Sequence, residues 1–353
     1  MRDDGGVADG VRRLGTPRWV GRLTLSALLA GLIVFPPMIR DAYMIRTLDL
    51  AGIYVLLSLG LNIVVGYAGL LDLGYVAFYA VGAYLYALLA SPQLGYHLPF
   101  LLIFVMGGAL AALMGALIGA PTLRLRGDYL AIVTMAFGEI IRILLNNLDR
   151  LTNGPQGIMQ IDSPTIFGVR LDTPLRIFYL ILPLCVLAVF FIRHLERSKI
   201  GRAWAAIRED EDAARAMGLN TRNLKLLAFA MGATTAGAAG VIFAGLQQFV
   251  SPESFTFWES ILILCMVVLG GMGSIPGVII GSVTLIVLPE IFRQYSDYRM
   301  IFFGLSLTVM MLVRPEGIWP SRQRGRELRG EEAGRSIEEP AAPAPMVGGD
   351  PCG

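Results

Sequence analysis

Charge is scarce in this sequence. Asp, Glu, Lys and Arg make up 16% of its 353 residues, against 55% hydrophobic residues. A soluble domain carries about 25% charged residues, so this chain lacks the polar surface to cover itself in water. Histidine is nearly missing. His97 and His194 are far apart at the ends of apolar segments, where a solvated or interfacial imidazole is the ordinary reading. Cysteine is sparse too, and Cys185, Cys265 and Cys352 show no paired spacing and no nearby His. Neither a disulfide framework nor a metal site is expected. Lysine accounts for only two of 29 basic residues. Neither Lys199 nor Lys225 closes a Gly-x-x-x-x-Gly-Lys-[Ser/Thr] loop, so ATP hydrolysis has no phosphate cradle on this chain. His-Glu-x-x-His and Gly-x-Ser-x-Gly are also absent, which removes zinc peptidases and serine hydrolases. A net charge of +2, with no basic patch among aromatics, offers no surface for nucleic acid. The chain is expected to be no enzyme and to hold no cofactor.

Apolar runs are what the sequence has in quantity, and its mean hydropathy is +0.63. A spanning helix needs roughly 20 mostly apolar residues. Runs of that kind fall near 23–39, 48–65, 71–90, 98–120, 129–146, 177–192, 224–246, 260–269, 276–292 and 300–313. The expected fold class is all-α, a polytopic transmembrane helical bundle of about ten helices. The eighth run is short for a full span, so nine is the alternative. Placing both termini in the cytoplasm puts 21 of the 29 basic residues on that side, which sets an N-in/C-in orientation. The chain then divides into a cytoplasmic tail 1–22, a transmembrane domain 23–313 with a cytoplasmic loop 194–223, and a tail 314–353. That last segment, rich in Arg, Glu, Pro and Ala, is expected to be disordered. The first run ends in Phe35-Pro36-Pro37 without a small-residue cleavage pattern and reads as an anchor helix. No strong internal repeat is visible.

Several stretches depart from plain helix. Between Gly60 and Gly74, the glycines Gly60, Gly66, Gly69 and Gly74 accompany Asn62 and Asp72. Loosened backbone at membrane depth must be satisfied by protein or by a water-filled cavity, so a half-helix end lining a pathway accounts for both. A tight cytoplasmic hairpin with Asp72 as a helix cap is the alternative. Farther along, Glu139 and Arg142 are three apart on one helix and face the same side. A buried charge in a span is a functional candidate, whereas a structural ion pair is the plainer reading. Gly270-Gly271-Met272-Gly273-Ser274 reads as a break. Small residues recur every four positions at 107/111/115/119, 236/240/244 and 273/277/281, which suits close helix packing. Asn62, Asp72, Thr134 and Glu139 are the candidate pathway residues. Buried ionisable groups otherwise look few, chiefly Glu139, with Glu290 near a helix end.

The cytoplasmic loop places Ala203, Ile207, Ala214 and Met217 on a modest apolar stripe, with charges on the other side. A short surface helix of that kind suits a groove in a cytosolic partner. Its Asp212-Ala213-Ala214-x-x-x-Gly218 resembles the EAA loop of ABC importer permeases, with Asp in place of the usual Glu. Further matching stretches run from Gly60-Leu61-Asn62 to Tyr84, from Arg126 to Thr134, from Leu151 to Ile158 and from Gly201 to Asp210. Together they resemble the M-type permease subunit of high-affinity branched-chain amino acid importers, over about Leu48 to Trp319. The resemblance implies a multi-pass protein of a bacterial inner membrane and makes Asp212, Ala213, Ala214 and Gly218 the docking site for an ATPase. It also implies a second, H-type permease subunit, two ATPase subunits that bind the ATP, and a periplasmic substrate-binding protein. Related permeases import urea or short-chain amides, so those substrates stay open, and an ion-coupled secondary transporter is the remaining rival.

Overall fold

The computed structural model describes residues 41–92, 98–123, 125, 127–166, 168–291, 304, 308, 312 and 317–319. The expected span 23–39, the tail 1–22, and most of the span 300–313 and the tail 314–353 lie outside the described residues. The architecture is helical, with one two-stranded antiparallel hairpin, β1 (Thr165–Ile166) and β2 (Val169–Arg170). Helix α1 (Ala42–Leu61) opens on Asp41, whose carboxylate accepts from Tyr43 N at 3.0 Å. It continues as a π-helical segment, Asn62–Tyr67. Then come α2 (Val76–Leu89), α3 (Phe100–Thr122), α4 (Asp128–Asn147) and α5 (Pro174–Glu196). The loop helices α6 (Lys199–Glu209) and α7 (Glu211–Ala216) precede α8 (Thr221–Gln247), α9 (Phe257–Gly270) and α10 (Ile275–Ile291).

Among the described residues, five helical stretches are long and apolar enough to cross a membrane: 42–67, 100–122, 174–196, 221–247 and 252–270, the last only by joining a 3-10 turn to α9. The order of elements contains a repeat that the sequence did not display. A helix of 26 residues, 42–67, leads through an irregular segment at 68–75 into the 14-residue α2. A helix of 27 residues, α8, leads through 248–256 into the 14-residue α9. The two units run in opposite directions. The first long helix ends at the coupling-loop side, where Gly66 O meets Arg208, and α8 begins there, where Leu224 O meets Trp204. Each short helix is about 21 Å long and falls short of a full hydrocarbon core. They meet end on, with Val76 N donating to Ser260 Oγ at 3.2 Å. Broken helices in inverted units are a recurrent design of transport pathways.

Two expected helices therefore change. The run 71–90 is helical only over Val76–Leu89, because 68–75 is an irregular turn held against α4. There a Cβ on Gly74 would strike the Thr134 carbonyl. The doubtful run 260–269 is a half-helix, α9, preceded by a 3-10 turn at Pro252–Phe255. Phe255 from that turn packs edge-on against Tyr79 of α2, ring centroids 5.2 Å apart.

The core forms where α8 lies between α2 and α3. A Cβ on Gly237 would strike Ala111 and the Gly107 carbonyl, and one on Gly82 would strike the Gly237 carbonyl. The small-residue ladders at 107–119 and 236–244 thus bring three backbones together, as their spacing predicts. In the third ladder, Gly277 and Gly281 receive α9, but Gly273 sits in the turn with φ +81 and belongs to no helix.

Candidate functional site

The break at 62–75 gathers three of the four candidate pathway residues. Asn62 opens the π-segment, a rare distortion often found at functional positions. Its Oδ1 accepts from Gly273 N at 2.8 Å, tying α1 to the α9–α10 turn, while its Nδ2 is buried and makes no hydrogen bond. Asp72 is buried; one carboxylate oxygen accepts from Gly74 N at 2.9 Å and the other is unpartnered. It closes the turn before α2 rather than capping the helix, whose N-cap position is Tyr75. Thr134 accepts from Leu73 N at 3.1 Å and donates to Ala131 O, also at 3.1 Å. Buried polar groups are normally paired, so the leftover amide of Asn62 and oxygen of Asp72 mark the break as an unusual site.

Glu139 does not join them. It lies farther along α4, where Arg142 Nε donates to it at 3.0 Å and Arg142 Nη1 reaches Glu253 at 3.1 Å. The expected i,i+3 pair forms, but the Glu139 side chain is 40% exposed, so the expectation of a buried charge is corrected. The buried carboxyl is elsewhere. Asp49, in the middle of α1, is fully enclosed with neither oxygen hydrogen-bonded. Glu259, half-buried at the start of α9, accepts from Tyr54 Oη at 2.6 Å. Buried ionisable groups are thus less scarce than the sequence suggested; an isolated Asp in an apolar run carries no signal of which way it faces.

The loop 194–223 is a pair of helices rather than one striped helix. Ser198 caps α6 by accepting from Ile200 N and Gly201 N, and Asp210 caps α7 by accepting from Asp212 N and Ala213 N. Trp204, Ile207 and Ala214 are buried against the bundle. Trp204 Nε1 donates to Leu224 O at 2.8 Å, an anchor missed in the sequence stripe. The carboxylate of Glu211 receives Lys225 of α8 and Arg215. Ala214, expected on the docking face, instead points inward, and Met217 is 83% exposed. The break at Asp210 causes this, because it restarts the helical phase between Ile207 and Ala214. Asp212, Ala213, Met217 and Gly218 are left on the outside, with Gly218 at φ +85 closing the helix. Among the described residues no cluster of His, Cys, Asp and Glu is arranged to hold a metal.

Residues 43–313, which include both breaks and the loop, match the family described as branched-chain amino acid transport system / permease component. The chain belongs to this permease family. Its members are transport components, so this permease is a multi-pass membrane protein and not an enzyme. LivM, the high-affinity branched-chain amino acid transport system permease of Escherichia coli K12, is 45% identical over 332 residues, 87% of this permease and 77% of LivM. A probable LivM of Methanocaldococcus jannaschii is 25% identical over 320 residues, covering 77% and 91% of the two chains. The permease also resembles LivH of E. coli K12, at 26% over 292 residues, 78% and 94% of the two. No solved structure matches.

Proposed function

We propose that this permease forms half of the translocation pathway of an ATP-driven importer of branched-chain amino acids in a bacterial inner membrane. The other half is a LivH-like permease. Two ATPase subunits sit on the cytoplasmic side and a periplasmic protein delivers the substrate. The observation that carries the reading is the α6–α7 loop: its root is buried in the bundle while Asp212, Ala213, Met217 and Gly218 face outward as a compact tip. Such a tip suits a groove in a cytosolic ATPase, and the missing phosphate loop agrees with hydrolysis on such a partner. Asn62, Asp72 and Thr134 line the path at the break, where a zwitterion meets weak polar contacts in otherwise apolar surroundings. Glu139 acts at its outer end, through the Arg142–Glu253 cluster. Reorientation of the broken segments, 68–75 and 248–256, against the helices around them provides alternating access. The N-terminal and C-terminal tails, 1–22 and 314–353, lie on the cytoplasmic side in this arrangement.

The test uses exposed residues that the fold does not need. In vesicles holding all subunits, Ala213→Arg together with Met217→Glu should abolish leucine uptake and release the ATPase, at unchanged permease level. Normal uptake by that double variant would sink the docking assignment. The unpartnered Asp49 is what an ion-coupled carrier would draw on. Uptake that persists without ATP and follows an imposed proton gradient would favour that second reading.

A further inference from the structure

The coupling loop reaches the break through Arg208. This side chain leaves the last turn of α6, and its Nη1 donates to the Gly66 carbonyl at 2.6 Å. Gly66 stands at the end of the π-segment, where terminal carbonyls have no helical partner of their own. A guanidinium is a charge-assisted donor, so it grips that carbonyl more strongly than a neutral group would. The stem of Arg208 also packs under Gly69, whose φ of +69 turns the chain away from α1. On its other side Gly66 is clamped, since a Cβ there would strike Asn62 Oδ1 and Gly273 N. Those two atoms are hydrogen-bonded to each other at 2.8 Å. One connected line therefore runs from α6 through Arg208, Gly66 and Asn62 to the α9–α10 turn. Two other anchors of the loop, Trp204 on Leu224 and Glu211 on Lys225, lead into α8, which packs closely on α2 and α3 through its glycines.

We infer that Arg208 is a positioning residue that carries movement of the coupling loop to the broken segment, so that its loss uncouples ATP hydrolysis from substrate movement. The inference rests on the docking reading above. It is tested on the complete transporter in proteoliposomes, with leucine uptake and ATP hydrolysis measured on the same preparation. In Arg208→Met the ATPases stay bound and continue to turn over, while leucine moved per ATP falls by about 2- to 30-fold. Arg208→Lys restores part of that ratio, because an ammonium still donates to the carbonyl but lacks the planar fork. A wild-type ratio in Arg208→Met, or uptake and hydrolysis falling in proportion, overturns the inference. Should Arg208→Met fail to accumulate, Arg208→Lys decides alone: a ratio equal to wild type overturns it, and a lowered one supports it. ATPases that fail to co-purify with the wild-type chain would instead sink the docking reading, a separate outcome.

Discussion

The α2–α3–α8 block and the broken side of the molecule hold their backbones in opposite ways. In the block, Gly82 lies directly on the Gly237 backbone, and at Gly107 and Gly237 only the side chains of Val241 and Ala111 come as near as the neighbouring helix. At the break, the irregular chain is held by a few directed side-chain bonds from Asn62, Asp72, Thr134 and Arg208. Packing of the first kind is stiff, because any added atom must displace a helix. Bonds of the second kind can be exchanged one at a time. A transporter that must reorient needs both, a frame and a part that moves against it.

The contrast is open to attack from both ends. The largest effect is expected in the frame: Gly237→Leu forces α8 off α3, costing about 3 kcal/mol or more. Monodisperse yield in detergent and the melting temperature should both collapse, and a variant that melts like wild type would show that the block is not tightly packed. At the break, Asn62→Leu leaves the Gly273 N–H unpaired, costing about 1–3 kcal/mol. Melting should drop modestly while leucine uptake falls far more; equal losses of both would erase the distinction between frame and moving part. The smallest effect belongs to Glu253→Gln, which removes one exposed pairing from Arg142, worth at most about 1 kcal/mol. Its melting shift should be within error at high salt, whereas a large, salt-insensitive shift would place that cluster inside the frame.

Much of the frame was legible in the sequence, since a four-residue spacing of small side chains states directly which helix face can be approached. The packing of Gly107, Ala111 and Gly115 on α8 follows from that spacing. Glycines also pointed to both breaks, at 60–74 and 270–274. What they do not encode is where helix resumes, and so the first part of 71–90 proved irregular. The inverted repeat was hidden because its two units share a pattern of lengths and backbone breaks, with different side chains. Orientation was the other blind spot. Asp49 and Glu139 look alike in a hydrophobic run, yet one is enclosed and the other half solvated. In the loop, the stripe through Ala203, Ile207, Ala214 and Met217 assumed one continuous helix. The cap at Asp210 rotated Ala214 inward and freed Met217.

The shortage of lysine has a practical side. Lys225 is enclosed, with its ammonium against Glu211, while Lys199 is exposed at the first position of α6. Apart from the α-amino group at the start of the chain, an acylating reagent meets one accessible primary amine, Lys199, since the sequence holds no third lysine. The wild-type sequence thus carries its own attachment point for a fluorescent or cross-linking group, beside the loop whose motion is in question.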